Sequence, residues 1–116
     1  MQAPPPPFDP SWAFFLDLDG TLFEIRTTPQ AVRRRPAELE LVSRLAAASG
    51  GAVALISGRS LAKIDRLFSP LKLAAAGQHG AERRDAQGGL HEIQLSKKSL
   101  KQAAETIGAF AARHEG

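Results

Sequence analysis

The sequence predicts an α/β protein with a doubly wound parallel sheet. Its apolar residues follow two patterns: short continuous runs such as Ala13–Leu16, and longer segments in which they recur at helical spacing. A strand that is apolar on both sides of its pleat is expected to be covered on both faces, as in a parallel sheet. Three such runs separated by two helical segments require crossover connections, which are almost always right-handed.

The first strand is predicted over Trp12–Leu18. Residues 1–11 before it form a proline-rich leader, which favours an extended, disordered conformation. After the strand, Pro36 suits the first turn of a helix that ends at Gly50 and Gly51. The apolar face of this helix consists of Leu39, Val42, Leu45 and Ala46.

The second strand is predicted over Ala52–Ile56 and the third over Leu71–Ala76. Between them, Ser60 is expected to cap a helix, and Pro70 lies beyond its end. The apolar positions of this helix are Leu61, Ile64, Leu67 and Phe68. A sheet of about three parallel strands leaves an apolar edge and face that further strands would normally cover.

A different pattern follows the third strand. Segments Glu82–Arg84 and Leu90–Leu95 flank a loop rich in glycine, which suits a β-hairpin. The spacing of Ser99 and Gln102 predicts a capping box at the start of a last helix, which extends over Leu100–Ala112. This helix has no later segment to pack against, and we therefore expect the chain to be truncated.

The composition excludes several classes of protein. With no cysteine, the chain can form neither disulfides nor thiolate metal sites. No apolar stretch approaches the roughly 20 residues of a membrane span, and the N-terminus lacks a secretory signal, so we expect a soluble, cytoplasmic protein without a membrane partner. The net charge of +3 and the run Arg33–Arg35 would suit an anionic partner. Nucleic-acid binding is disfavoured because the chain has no tyrosine and one tryptophan.

Two aspartates directly follow the first strand. Ligands of open α/β sheets bind outside the carboxyl ends of strands, and alternation places Asp17 and Asp19 on one side, with Leu18 turned toward the core. One carboxylate is suited to attack a phosphoryl group, and the other to protonate the leaving oxygen and then activate water. Gly20 allows the backbone to approach the phosphate, and Thr21 can donate hydrogen bonds to it.

Two other interpretations of these aspartates are open. Aspartate, glycine and threonine are common in turns, but turn formation does not account for their attachment to a fully apolar strand. A calcium loop needs further oxygen ligands at alternate positions, whereas Phe23 and Ile25 occupy that stretch. We therefore favour phosphoryl transfer.

Polar residues also follow the second and third strands. Ser57 directly follows the second strand, Gly58 gives the turn, and the Arg59 guanidinium suits phosphate or sugar oxygens or faces solvent. His79 lies in the loop after the third strand, where a lone histidine is more often only a surface residue.

The segment AFFLDLDGTL resembles the first signature of the haloacid dehalogenase superfamily. The resemblance implies that Asp17 is the nucleophile and Asp19 the general acid and base. It also implies a Mg²⁺ ion held by the Asp17 carboxylate, the Asp19 main-chain carbonyl and an acid from later in the chain. Ser57 then corresponds to the second signature of the superfamily, whose hydroxyl binds phosphate.

The segments ISGRS and GQHGAERR, with the spacing between them, are similar to those of trehalose-6-phosphate phosphatases. This resemblance implies hydrolysis of trehalose 6-phosphate to trehalose and phosphate, and it places His79, Gly80 and Glu82 in the sugar pocket. Phosphatases of sucrose and mannosylglycerate phosphates have the same layout, so another sugar phosphate stays open. The resemblance divides the chain into a partial Rossmann-like core at 12–81 and the beginning of an α/β cap at 82–116.

Two parts of the superfamily's active site are missing from the sequence. A lysine that stabilises the phospho-intermediate, and an acidic pair that completes the magnesium site, are expected after the cap. Lys97, Lys98 and Lys101 are instead predicted to form a solvated helix face. We therefore expect this chain alone to be inactive or nearly so. The alternative is a non-catalytic fragment that binds phosphate or a protein, and the oligomeric state is left open.

Overall fold

The computed structural model describes residues 2–24 and 35–114. They form a five-stranded sheet in the order β1-β2-β3-β4-β5. The strands are β1 Phe14–Asp17, β2 Val53–Ile56, β3 Ala74–Gly77, β4 Glu82–Arg84 and β5 Leu90–Glu92. The α-helices are α1 Pro36–Ala48, α2 Leu61–Phe68 and α3 Lys97–Arg113, and a 3₁₀ turn covers Gln78–Gly80. The order of strands and helices predicted from the sequence is confirmed.

The first three strands are parallel neighbours, as predicted. The predicted hairpin, β4 and β5, extends the same sheet beyond β3 in antiparallel orientation. The connection between β3 and β4 spans only residues 78–81, which is too short for the crossover that a parallel neighbour requires. The sheet is therefore mixed rather than wholly parallel, and a domain boundary at residue 82 stays a prediction.

The core lies on one face of the sheet. Leu55 of β2 and Ala75 of β3 are paired neighbours that are buried on this face. They form one cluster with Val42 of α1 and with Ile64 and Phe68 of α2. Strands in sequential order with right-handed crossovers place successive helices on the same side of a sheet. The loops at the carboxyl ends of β1 and β2 are anchored by this core.

The opposite face of the sheet is open in the described part of the chain. Phe15 of β1 is 72% exposed and Ile56 of β2 is 40% exposed. The prediction that the first strand is covered on both faces is wrong for this chain, because helices on one side cannot shield the alternate side chains of a strand. The predicted exposed apolar face is confirmed.

The leader contacts the first residue of β1. Residues 2–9 form neither helix nor strand, yet the Phe8 ring stacks on the Phe14 ring with centroids 5.9 Å apart. The Asp9 carbonyl accepts a hydrogen bond from the Trp12 amide at 3.1 Å. The leader is therefore tied to β1 by an aromatic contact that its proline content did not predict.

The bounds of β1, β2, β3, β5 and α3 all differ from the predicted ones, and two of these differences have a clear structural cause. The third strand begins at Ala74 rather than Leu71, because the Leu71 amide closes a turn onto the Phe68 carbonyl at 2.8 Å. The last helix begins at Lys97, and its cap is Ser96, whose hydroxyl accepts from the Ser99 amide at 3.1 Å. The predicted capping box at Ser99 is wrong, since that residue already lies in the first turn.

Helix α3 has no buried residue. Its apolar side chains Leu100, Ile107 and Phe110 are all exposed, which confirms the expected lack of a packing partner in the described residues. No helix in the ranges 2–24 and 35–114 is both long enough and apolar enough to cross a membrane. Ile25 and the arginines at 33 and 34, which figured in the predictions, lie outside the described residues.

Candidate active site

Asp17 and Asp19 are exposed side chains at the carboxyl end of β1, on either side of the fully buried Leu18. The Leu18 carbonyl accepts from the Thr21 amide at 3.2 Å and from the Phe23 amide at 2.9 Å, which folds the chain back on itself. Gly20 adopts a φ of 84°, a left-handed conformation that glycine allows without strain. The core thus anchors a tight loop that holds both carboxylates at the strand end, as predicted.

The side chain of Asp17 is oriented by Thr21. The Thr21 hydroxyl donates to Asp17 Oδ2 at 3.2 Å. Because this bond occupies one carboxylate oxygen, the other is available to a ligand or a metal ion. Asp17 and Thr21, which the sequence predicts to attack and to bind the phosphate, are therefore in contact.

The side chain of Asp19 forms a bidentate ion pair with Arg59 across the gap between β1 and β2. Arg59 Nε lies 2.9 Å from Oδ2, and Nη2 lies 2.7 Å from Oδ1. The hydrogen bond from Arg59 lowers the pKa of the Asp19 carboxyl, and burial, which raises it, is the smaller effect. The same hydrogen bond raises the pKa of Arg59. The sequence predicts that Arg59 contacts phosphate oxygens, sugar oxygens or solvent. It does not predict the pairing with Asp19, because Arg59 and Asp19 lie 40 residues apart in the chain.

Ser57 lies at the end of β2 and is buried. Its amide donates to the Ala76 carbonyl of β3 at 2.9 Å, and its hydroxyl oxygen accepts from the Arg59 amide at 3.0 Å. A serine hydroxyl that accepts one hydrogen bond still has its own proton to donate. Ser57 therefore shapes the loop that carries Arg59 and keeps a donor for an anionic ligand.

The turn after β3 packs against the loop after β2. A Cβ built on Gly58 would lie 2.6 Å from His79 Cε1, so the imidazole occupies the space that only a glycine leaves free. His79 has a φ of 55°, which is unusual for a residue with a side chain. One oxygen of the Glu82 carboxylate accepts from the Leu61 amide at the start of α2, at 3.1 Å. Gly80, with a φ of 92°, completes the turn.

The structure thus brings most of the predicted site residues to one edge of the sheet. The lysines on α3 do not join them: Lys97, Lys98 and Lys101 are exposed, as predicted. Within residues 2–24 and 35–114, no group of three or more His, Cys, Asp or Glu side chains is placed to hold a metal ion. A role for Asp17 and Asp19 as metal ligands therefore stays a prediction.

Comparison with known families gives a match over most of the chain. Residues 15–116 match the model of a family described as trehalose-phosphatase. A probable trehalose-phosphate phosphatase of Sinorhizobium fredii is 43% identical over 101 residues, which are 87% of this chain and 38% of that protein. Trehalose-6-phosphate phosphatase of Escherichia coli K12 is 40% identical over 111 residues, which are 96% of this chain and 42% of that protein.

Solved structures give the same picture. The structure of Aspergillus fumigatus trehalose-6-phosphate phosphatase superposes with a TM-score of 0.69 at 29% identity, covering 90% of this chain and 40% of that one. A haloacid dehalogenase-like hydrolase from B. subtilis has a TM-score of 0.60 at 23% identity, covering 87% of this chain and 33% of that one, and supports the fold alone. The chain spans about two fifths of the length of the two bacterial relatives it matches.

Proposed function

Because this chain belongs to the trehalose-phosphatase family, we propose that it supplies the nucleophile-bearing part of a site that hydrolyses trehalose 6-phosphate to trehalose and phosphate. The observation that carries the proposal is the pair of exposed carboxylates, Asp17 and Asp19, held at the end of β1 by the buried Leu18. Each carboxylate has its own partner, Thr21 or Arg59, which supports assigning different tasks to the two side chains.

In the proposed reaction, an Asp17 oxygen attacks phosphorus and forms an aspartyl phosphate as the bond to the sugar oxygen breaks. Asp19 gives a proton to that leaving oxygen and later takes one from the water that cleaves the aspartyl phosphate. The ion-paired Asp19 carboxylate carries no proton, so it can act as the acid only after Arg59 releases its oxygens and it takes up a proton from solvent. Phosphate oxygens offer the guanidinium another bidentate partner, so substrate binding itself would favour this exchange.

The oxygen donors at the end of β1 fit Mg²⁺, which binds through one or two carboxylates together with substrate phosphate and water. We propose that the Asp17 carboxylate and the Asp19 main-chain carbonyl hold the ion. When bound, it would neutralise negative charge on the transferring phosphoryl group. A third protein ligand and a lysine are expected from outside this chain, so we propose that the chain alone is inactive or nearly so.

Around this centre, we propose that the Ser57 hydroxyl, the Thr21 hydroxyl and the Gly20 backbone bind phosphate oxygens. Gly58 keeps the loop after β2 close enough for Arg59 to reach them. A place for His79, Gly80 and Glu82 in the sugar pocket stays a prediction. So do a cytoplasmic location and the lack of nucleic-acid and membrane partners.

A chimera provides the test. The matching 96% of this chain replaces the matching 42% of the Escherichia coli relative, and phosphate release from trehalose 6-phosphate is measured with Mg²⁺. We expect the chimera to release phosphate. Asp17→Asn removes the nucleophile and should lower the turnover rate at least about a thousandfold. Asp9→Asn, a change in a half-buried aspartate of the leader, is the matched control. Equal activity of the Asp17 variant and the control would exclude Asp17 as nucleophile.

The second candidate is a non-catalytic fragment that binds phosphate or another protein. The open apolar face at Phe15 favours it, as does the lack, within residues 2–24 and 35–114, of a group of three His, Cys, Asp or Glu side chains placed to hold a metal ion. Calorimetric titration of the 116-residue chain with inorganic phosphate, alongside an assay for phosphate release, separates the two. This candidate is favoured if phosphate binds to the chain but the chimera releases no phosphate from trehalose 6-phosphate. The same assays with sucrose 6-phosphate test which sugar phosphate is the substrate.

A further inference from the structure

The turn after β3 approaches the backbone around Arg59 more closely than a side chain would permit. A Cβ on Gly77 would lie 2.7 Å from the Arg59 carbonyl oxygen and 3.0 Å from the Leu61 amide nitrogen. The Gln78 amide donates to the same Arg59 carbonyl at 2.9 Å. The main chain of Arg59 is therefore fixed from the side of β3.

Two side chains, His79 in the turn and Glu82 at the start of β4, complete this contact. The His79 ring lies against Gly58, the residue before Arg59, and the Glu82 carboxylate binds the Leu61 amide, two residues after it. Gln78 and His79 have φ values of 51° and 55°, which L-residues rarely adopt and which persist only where the surroundings enforce them. The unusual backbone is what brings the imidazole onto Gly58.

These contacts fix the backbone of Arg59 itself and of the residues on both sides of it. The Arg59 guanidinium extends away from this backbone to Asp19. We propose that His79 and Glu82 are positioning residues, which fix the loop after β2 so that Arg59 meets the Asp19 carboxylate in bidentate geometry. The inference rests on the proposed function in taking Asp19 as the acid and base of the site. It assigns His79 and Glu82 a role that they exert by positioning Arg59. This role is separate from any contact that they make with a substrate.

Packing and polar contact make different demands on position 79. If the ring acts by filling the space over Gly58, phenylalanine can replace it, because a flat ring of similar size is retained. If the ring acts by hydrogen bonding to a ligand, phenylalanine is as poor a substitute as alanine. At position 82, glutamine keeps an oxygen acceptor for the Leu61 amide, whereas alanine removes it.

The test follows the Arg59 Nε–Hε signal in ¹⁵N-edited NMR spectra of the 116-residue chain, assigned by its loss in Arg59→Lys. In the wild type this proton is hydrogen-bonded to Asp19, so we expect it to exchange slowly with water. We expect His79→Ala and Glu82→Ala to accelerate exchange at least tenfold or abolish the signal. His79→Phe and Glu82→Gln should keep exchange within about twofold of wild type, as should His91→Ala, which alters an exposed histidine of the hairpin.

Wild-type exchange in His79→Ala, or an equal loss in His79→Phe and His79→Ala, would overturn the proposal. If His79→Ala fails to fold, the phenylalanine variant still decides, since the proposal requires it to keep the signal. Gly58→Ala gives an independent check: the added methyl group should disturb the signal when His79 is present and add no further disturbance in His79→Ala. None of these measurements uses substrate, Mg²⁺ or turnover, so an inactive chimera leaves this inference standing, and a failed inference leaves the phosphatase proposal standing.

Discussion

The guanidinium of Arg59 holds both carboxylate oxygens of Asp19, at 2.9 Å and 2.7 Å. This ion pair joins the loops that follow β1 and β2, and it links the two short motifs to which the proposed chemistry is assigned. A bidentate arginine–carboxylate pair has a fixed geometry, so it sets the direction of the Asp19 side chain as well as its charge.

Removal of Arg59 should raise the pKa of Asp19 toward the ordinary aspartate value, because the hydrogen bond from Arg59 is the largest cause of its lowering. The folded-state pKa lies below the unfolded one, so the pair stabilises the fold above the unfolded pKa. That contribution is lost as pH falls through the folded value. Titration of the Asp19 carboxyl carbon by ¹³C NMR in wild type and Arg59→Ala measures the change. An unchanged midpoint would contradict this prediction.

Arg84→Ala should lower the free energy of unfolding by about 3 kcal/mol, since it leaves a partly buried carboxylate without its partner. The Arg84 side chain is 9% exposed. Its terminal nitrogens lie 3.0 Å and 2.6 Å from the Asp65 oxygens, and its Nε donates to the Leu73 carbonyl. Urea unfolding followed by circular dichroism measures the loss. The exposed neighbour gives the control, because Arg83→Ala should cost less than about 0.5 kcal/mol. Similar losses at both positions would show that the ion pair does not stabilise the sheet.

Phe68→Ala should destabilise the chain by about 3–5 kcal/mol, because this ring is buried and contacts Phe23 edge to face at 5.7 Å. Phe15→Ser should change stability by less than about 0.5 kcal/mol, since its side chain is largely in water. Chemical denaturation of both variants tests the difference. A large loss in the Phe15 variant would mean that the open face is covered in solution, and sedimentation velocity would then show whether a second copy covers it.

Ser96→Ala should reduce the stability of α3 by about 1 kcal/mol, the usual cost of losing an N-cap. Ser96 accepts from the Ser99 amide, whereas the capping box expected from the sequence had Ser99 as the cap. Because α3 has no buried residue, a peptide of residues 95–114 should reproduce the effect. Helicity measured by circular dichroism should fall more in Ser96→Ala than in Ser99→Ala. The reverse order would restore Ser99 as the cap.

Local patterns predicted the elements well where one residue type fixes the backbone. Pro36 begins α1, Ser60 caps α2 through the Lys63 amide at 3.3 Å, and Gly50 and Gly51 end α1 with positive φ. Prediction failed where two residues of the same type compete, as Ser96 and Ser99 did at the start of α3. Such a choice depends on which hydroxyl meets a free amide, and spacing alone does not decide it.

The sequence by itself determined the short apolar strands, the helices between them, and the position of Asp17 and Asp19 at a strand end beside the buried Leu18. These features depend on residues that are neighbours in the chain. The tertiary structure alone decided that the hairpin extends the core sheet, that one face stays open at Phe15, and that Arg59 pairs with Asp19 while His79 lies on Gly58. Such contacts join residues far apart in the chain, so their geometry depends on strand register and loop packing, which no local pattern encodes.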